Sequence, residues 1–138
     1  MREIFVDTSA WDALADSGDP NHELAVLFRD EIAGQCRLVV TNYILDELVT
    51  LLLMNVGYQR AVAFKSVLDV LAQEGILQVV WISEDLALEA WHVFLQFNAD
   101  KQWSFTDCVS YVVMKRRGNG EAFAFDHHFE QMGFTRLP

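Results

Sequence analysis

Short apolar runs alternate with longer amphipathic ones along the chain. Ile4-Phe5-Val6 reads as a short buried strand ending at Asp7. Thr8 or Ser9 then caps a helix through about Ala15, and Asp12 completes an S-x-x-D box after Ser9. Asp19-Pro20-Asn21 marks a turn, and a helix from about His22 to Ala33 follows, ended by Gly34. Leu38-Val39-Val40 predicts a second strand, after which Thr41 or Asn42 caps a helix through Val56. A further helix spans about Tyr58 to Gln73; with only Gly57 between them, the two are expected to form an antiparallel hairpin. Leu77 to Ile82 is the third strand. Ser83 caps a helix to about Phe97, with Glu84 and Asp85 at its positive end. Beyond the polar loop from Asn98 to Trp103, Ser104-Phe105-Thr106-Asp107 opens a helix ending at Lys115-Arg116-Arg117-Gly118. Ala122 to Phe125 forms a fourth strand closed by Asp126, and Phe134 to Leu137 an edge strand.

Strands alternating with helices imply an α/β fold: a short, mostly parallel sheet of four or five strands, covered on both faces as three α/β/α layers. Parallel crossovers place ligand sites at the carboxyl ends of strands. Asp7 and Asp126 are both expected there.

The 138 residues suit one domain, and with 52% hydrophobic residues they supply one real core. No repeat or Ser/Pro-rich linker divides them, and the only prolines are Pro20 and Pro138. The longest apolar run, around Leu48 to Met54, is far short of the roughly 20 residues a membrane span needs. The opening Met-Arg-Glu-Ile passes straight into a strand and lacks the regions of a signal peptide. Cys36 and Cys108 sit in apolar surroundings, so a disulfide framework is not expected and a reduced cytoplasm is. The net charge of −10 is unusual for a protein that holds nucleic acid by neutralising phosphates. It fits a solvated face, a basic partner or a site that recruits cations.

Four acids stand out. Asp7 ends the first strand; because Thr8 and Ser9 already offer caps, it is free for another task. Glu47 borders the apolar stripe of its helix (Ile44, Leu48, Leu51, Leu52), whereas Asp46 lies on the polar side beside Asn42 and Thr50. A carboxylate at a core-facing edge needs a partner, a metal or a raised pKa. Asp107 stands three residues after Ser104 and fits a capping box, a role compatible with facing the end of the sheet. Asp126 precedes His127-His128, but adjacent histidines lack helical ligand spacing, so both read as exposed loop residues rather than zinc ligands. Four acids at one end of a sheet could not all stay ionised without a cation. All-oxygen ligands favour Mg²⁺ or Mn²⁺, which suits phosphodiester hydrolysis through activated water.

F-V-D-T-S-A-W, T-N-Y-I-L-D-E-L, S-F-T-D-C-V-S-Y and F-A-F-D-H-H-F, in that order, resemble the PIN-domain nucleases, most of all the VapC-type toxins of bacterial toxin–antitoxin pairs. The resemblance covers essentially the whole chain and implies a single PIN-like domain over residues 1–138. It implies an endoribonuclease dependent on Mg²⁺ or Mn²⁺, with Asp7, Glu47, Asp107 and Asp126 as catalytic and metal-binding acids. Thr8, Ser9 and Thr106 would support the site or its waters, with Thr8 and Ser9 equally readable as caps. It further implies a homodimer and an antitoxin that plugs the acidic site. Arg60, Lys65, Lys101 and Lys115 to Arg117 could hold RNA but read better as ordinary surface charge. Trp11, Trp103 and Phe105 could stack on bases but read mostly as core. Three alternatives remain: a catalytically silent binding module, a phospho-acceptor domain built on Asp7, which has Ser9 where D-x-D-x-T needs a second acid, and an RNA-processing nuclease that is not a toxin.

Overall fold

The computed structural model describes residues 1–138. Strand β1 (Glu3–Val6) carries Ile4, Phe5 and Val6 with no exposed surface, so it is apolar on both faces, as a central parallel strand must be. β2 (Arg37–Thr41) and β3 (Leu77–Val80) lie on one side of it, β4 (Glu121–Phe123) and β5 (Thr135–Leu137) on the other. The order is β3-β2-β1-β4-β5 and every pairing is parallel.

The chain steps outward from β1 to β3, then crosses back to β4, which leaves a switch point between β1 and β4. Right-handed crossovers put α1 (Thr8–Ala15), α2 (His22–Ile32), α3 (Asn42–Asn55) and α4 (Tyr58–Gln73) on one face. The same rule puts α5 (Glu84–Phe97), α6 (Phe105–Arg117) and α7 (His128–Gln131) on the other. The packing agrees. Phe5 pairs in register with Ala122, and Val6 with Phe123, so Phe5 and Phe123 point to opposite faces. Phe5 meets Phe129 of α7 at 6.3 Å, and Phe123 meets Phe28 of α2 edge-on at 4.8 Å. The expected three layers are present.

Most elements fall where the apolar pattern places them, and α2, α3, α4 and α6 stop at or just before the expected glycines. Gly57 and Gly118 take positive φ (91° and 66°), which a side chain would resist. Three local expectations fail. β3 ends at Val80 rather than Ile82, because the Ile82 N–H donates to Asn42 Oδ1 at 2.8 Å instead of continuing a ladder. β4 ends at Phe123 rather than Phe125, because the Phe125 N–H donates to Ser9 Oγ at 3.0 Å. Asp126 therefore does not close the strand but lies in the bend beyond it. The third concerns α1: its N-cap is Asp7, not Thr8 or Ser9, and the S-x-x-D box at Ser9 and Asp12 does not form.

Candidate active site

Asp7 is tied down on three sides. Its N–H donates to the Phe123 carbonyl at 3.0 Å, which fixes it at the carboxyl end of β1 beside β4. Its Oδ2 accepts from the Ser9 N–H at 3.3 Å and from the Ser9 hydroxyl at 2.7 Å. Capping and a place in the site are thus one arrangement, correcting the expectation that Asp7 is free because its neighbours cap. Burial pushes its carboxyl up to about 7; the Ser9 contacts oppose this and the nearby Asp107 charge adds to it. Ser9 Oγ links the Asp7 carboxylate to the Phe125 N–H, so it fastens the start of α1 to the bend before Asp126. Ser9→Ala is expected to lower stability by about 1–2 kcal/mol in denaturant unfolding, since it strands the Phe125 N–H.

Asp107 sits at the third position of α6, where Ser104 and Asp107 form the expected reciprocal capping box. Its Oδ2 accepts from the Ser104 N–H at 3.0 Å and lies 2.6 Å from His128 Nδ1. The same nitrogen is 3.2 Å from Asp126 Oδ1. Asp126 folds toward α6 because its Oδ1 also accepts the His128 N–H at 3.0 Å, an Asx turn that opens α7. His128 is therefore half-buried between two carboxylates, not an exposed loop residue; His127, with 85% of its side chain exposed, is one. Ligand atoms of Asp107, Asp126 and His128 all lie within 4.8 Å of one another.

A cleft of about 400 Å³ opens over this end of the sheet. Asp7, Glu47, Asp107 and Asp126 all line it, with Thr8 and Ser9. Glu47 reaches it from α3 as an exposed side chain at the border of the apolar stripe, where its helical spacing places it. The rim residue of a helical stripe faces whatever lies beside the helix, and here that is open cleft. Asp46 and Thr106 line a neighbouring hollow that shares Glu47 and Leu51, not the acid cleft itself. The hydroxyl of Thr8, a residue only 5% exposed, is buried without a partner. Sequence reasoning missed Asp12, Asp19 and Asn21, which also line the cleft. The turn at Asp19-Pro20-Asn21 was the available signal, because an Asx turn reverses the chain just beyond α1, where Asp19 and Asn21 line the cleft with Asp12.

No Lys or Arg lines the cleft. Lys65 pairs with Asp69, Lys101 with Asp100, Arg116 with Glu89 and Arg117 with Glu3, in keeping with ordinary surface charge. Trp11 and Trp103 are buried, and Phe105 packs against Tyr43. Both cysteines are free and buried. No helix is long and apolar enough to cross a membrane.

Comparison with known proteins points to one family. The chain is 33% identical over 135 residues to the 23S rRNA-specific endonuclease VapC20 of Mycobacterium tuberculosis (strains CDC 1551 and H37Rv), covering 97% of each protein. It is 36% identical over 77 residues to the VapC ribonuclease of Archaeoglobus fulgidus, 56% of this chain and 46% of that protein. The crystal structure of M. tuberculosis VapC20, described as a sarcin–ricin loop cleaving toxin, superposes with a TM-score of 0.85 at 31% identity over 96% of both chains. VapBC2 of Rickettsia felis, solved with a promoter DNA fragment, shares the fold alone, with a TM-score of 0.68 at 9% identity over 97% and 96% of the two chains. The resemblance to VapC-type proteins carried by the four motifs thus holds along the whole chain. Residues 4–135 match the PIN domain, and the chain belongs to the PIN-domain family.

Proposed function

We propose that this chain is a metal-dependent endoribonuclease, the toxin of a type II toxin–antitoxin pair, with Asp7, Glu47, Asp107 and Asp126 as its catalytic acids. The observation that carries this is the arrival of all four, from distant parts of the sequence, in one cleft at the β1–β4 switch point.

The residues present fit a hard divalent ion. A buried Asp7 beside Asp107, an unpartnered Thr8 hydroxyl and the close Asp107–Asp126 pair form an acceptor-rich pocket without a basic side chain of Lys or Arg. Asp7, Asp107, Asp126 and Glu47 would hold Mg²⁺ or Mn²⁺. When bound, such an ion lowers the pKa of its water and offsets charge on a phosphate. The chain's own contribution is placement. Ser9 holds Asp7, and Ser104 holds Asp107, each through hydrogen bonds that leave little freedom. Glu47, exposed on α3, is the acid that can turn toward RNA or a water at low desolvation cost. Thr8 offers a free hydroxyl at the floor.

The same proposal includes one PIN-like domain over residues 1–138, homodimers, a cognate antitoxin that covers the acids, and action in the cytoplasm. The name of the whole-length relative makes ribosomal RNA the first substrate to try. Purified chain with Mg²⁺ or Mn²⁺ is expected to cut ribosomal RNA, and a chelator to stop it. RNA left intact by folded, metal-supplied protein would refute the reading.

A further inference from the structure

We infer that His128 is a nitrogen ligand in the metal centre, making it a mixed nitrogen–oxygen site that favours a first-row transition ion over Mg²⁺. This rests on the metal-dependent reading above and changes its donor set, since four acids alone would offer oxygen only.

The geometry points there. His128 Nδ1 is 2.6 Å from Asp107 Oδ2 and 3.2 Å from Asp126 Oδ1. Donors that share one ion at about 2.0–2.3 Å stand within about 4.6 Å of each other. The three residues meet that spacing with small adjustments. The placement is built in rather than incidental. The His128 N–H is fixed by Asp126 Oδ1 at 3.0 Å, and the adjacent Phe129 is fully buried against Phe5, which locks α7 under the sheet. A second feature points to a ligand in the same cleft: Thr8, 95% buried by its 5% exposure, carries a hydroxyl with no partner in the protein.

Coordination through Nδ1 leaves the ring proton on Nε2, so the imidazole binds as a neutral donor. Imidazole nitrogen suits transition ions, whereas Mg²⁺ demands oxygen and keeps its waters.

Pulsed EPR of the full chain loaded with Mn²⁺ tests this directly. Wild type is expected to show imidazole nitrogen coupling to the ion. His128→Asn, which keeps a donor toward Asp107, is expected to lose that coupling and to bind Mn²⁺ about tenfold or more weakly. Its Mg²⁺ affinity should stay nearly unchanged. His128→Asp, with oxygen donors only, is expected to narrow the Mn²⁺ over Mg²⁺ preference, with circular dichroism reporting the fold of both variants. Bound Mn²⁺ without nitrogen coupling in wild type overturns the inference, even where RNA is cleaved. Absence of any Mn²⁺ binding overturns it together with the metal-dependent reading.

Discussion

Asp107→Asn is expected to slow RNA cleavage by about a hundredfold or more while leaving the melting temperature within about 3 °C of wild type. The two halves of that outcome come from different atoms of one side chain. Its structural task is to close the capping box by accepting the Ser104 N–H, and an amide oxygen can do this as well as a carboxylate. Its proposed catalytic task needs the negative charge that stands beside Asp7, Asp126 and His128. An amide oxygen is neutral, a weaker ligand, and cannot offset a divalent cation. Thermal melts and single-turnover cleavage on the same preparation separate the two tasks. A variant that cuts at the wild-type rate would reduce Asp107 to a helix cap and leave the nuclease reading without its central acid.

That double duty explains which parts of the site could be read from the sequence. The S-x-x-D spacing at Ser104 and Asp107 predicts a capping box, and the box forms. The same spacing at Ser9 and Asp12 predicts another, and it does not, because Asp7 takes the cap and Ser9 turns to the Phe125 N–H. A local pattern states what a segment can do; a partner from far along the chain decides whether it does so. β1 and β2 were legible because buried parallel strands are apolar runs. The end of β4 was not, since it depends on that hydrogen bond from Phe125 to α1. The apolar run therefore puts Asp126 at the end of a strand, whereas a bend carries it toward α6.

Glu47 and His128 show the same limit from opposite directions. The helical spacing of Ile44, Leu48 and Leu52 identified the buried face of α3 correctly. It placed Glu47 at the rim of that face but could not say that the rim opens onto a cleft rather than onto another helix. For His128, neighbouring residues suggested a solvated loop, and only the Asx turn at Asp126 brings the imidazole back to Asp107. Acid identities are readable one at a time. Their meeting is a property of strand order.

Asp7→Asn is expected to raise the melting temperature of the metal-free protein by about 5–10 °C at pH 8 while abolishing cleavage. Burial lifts the Asp7 carboxyl from 3.8 in the unfolded chain to about 7 in the folded one. The folded state therefore binds a proton that the unfolded state gives up. The penalty is absent below the unfolded value, grows as pH rises from about 4 to 7, and is then constant. A shift of about three units corresponds to about 4 kcal/mol above pH 7. Asparagine carries no such penalty, caps helices as well as aspartate does, and keeps an oxygen for the Ser9 contacts. The gain should shrink steadily as pH falls toward 4, because protonated Asp7 costs the wild type nothing there. Mn²⁺ should close the same gap from the other side, raising the melting temperature of wild type at pH 8 far more than that of the variant. Melting curves at pH 8 and pH 5, each with and without Mn²⁺, give all four comparisons. Equal melting temperatures for the two proteins at pH 8 without metal would mean that Asp7 is not strained in the folded state. The fold would then be holding no acid in reserve for a cation to relieve.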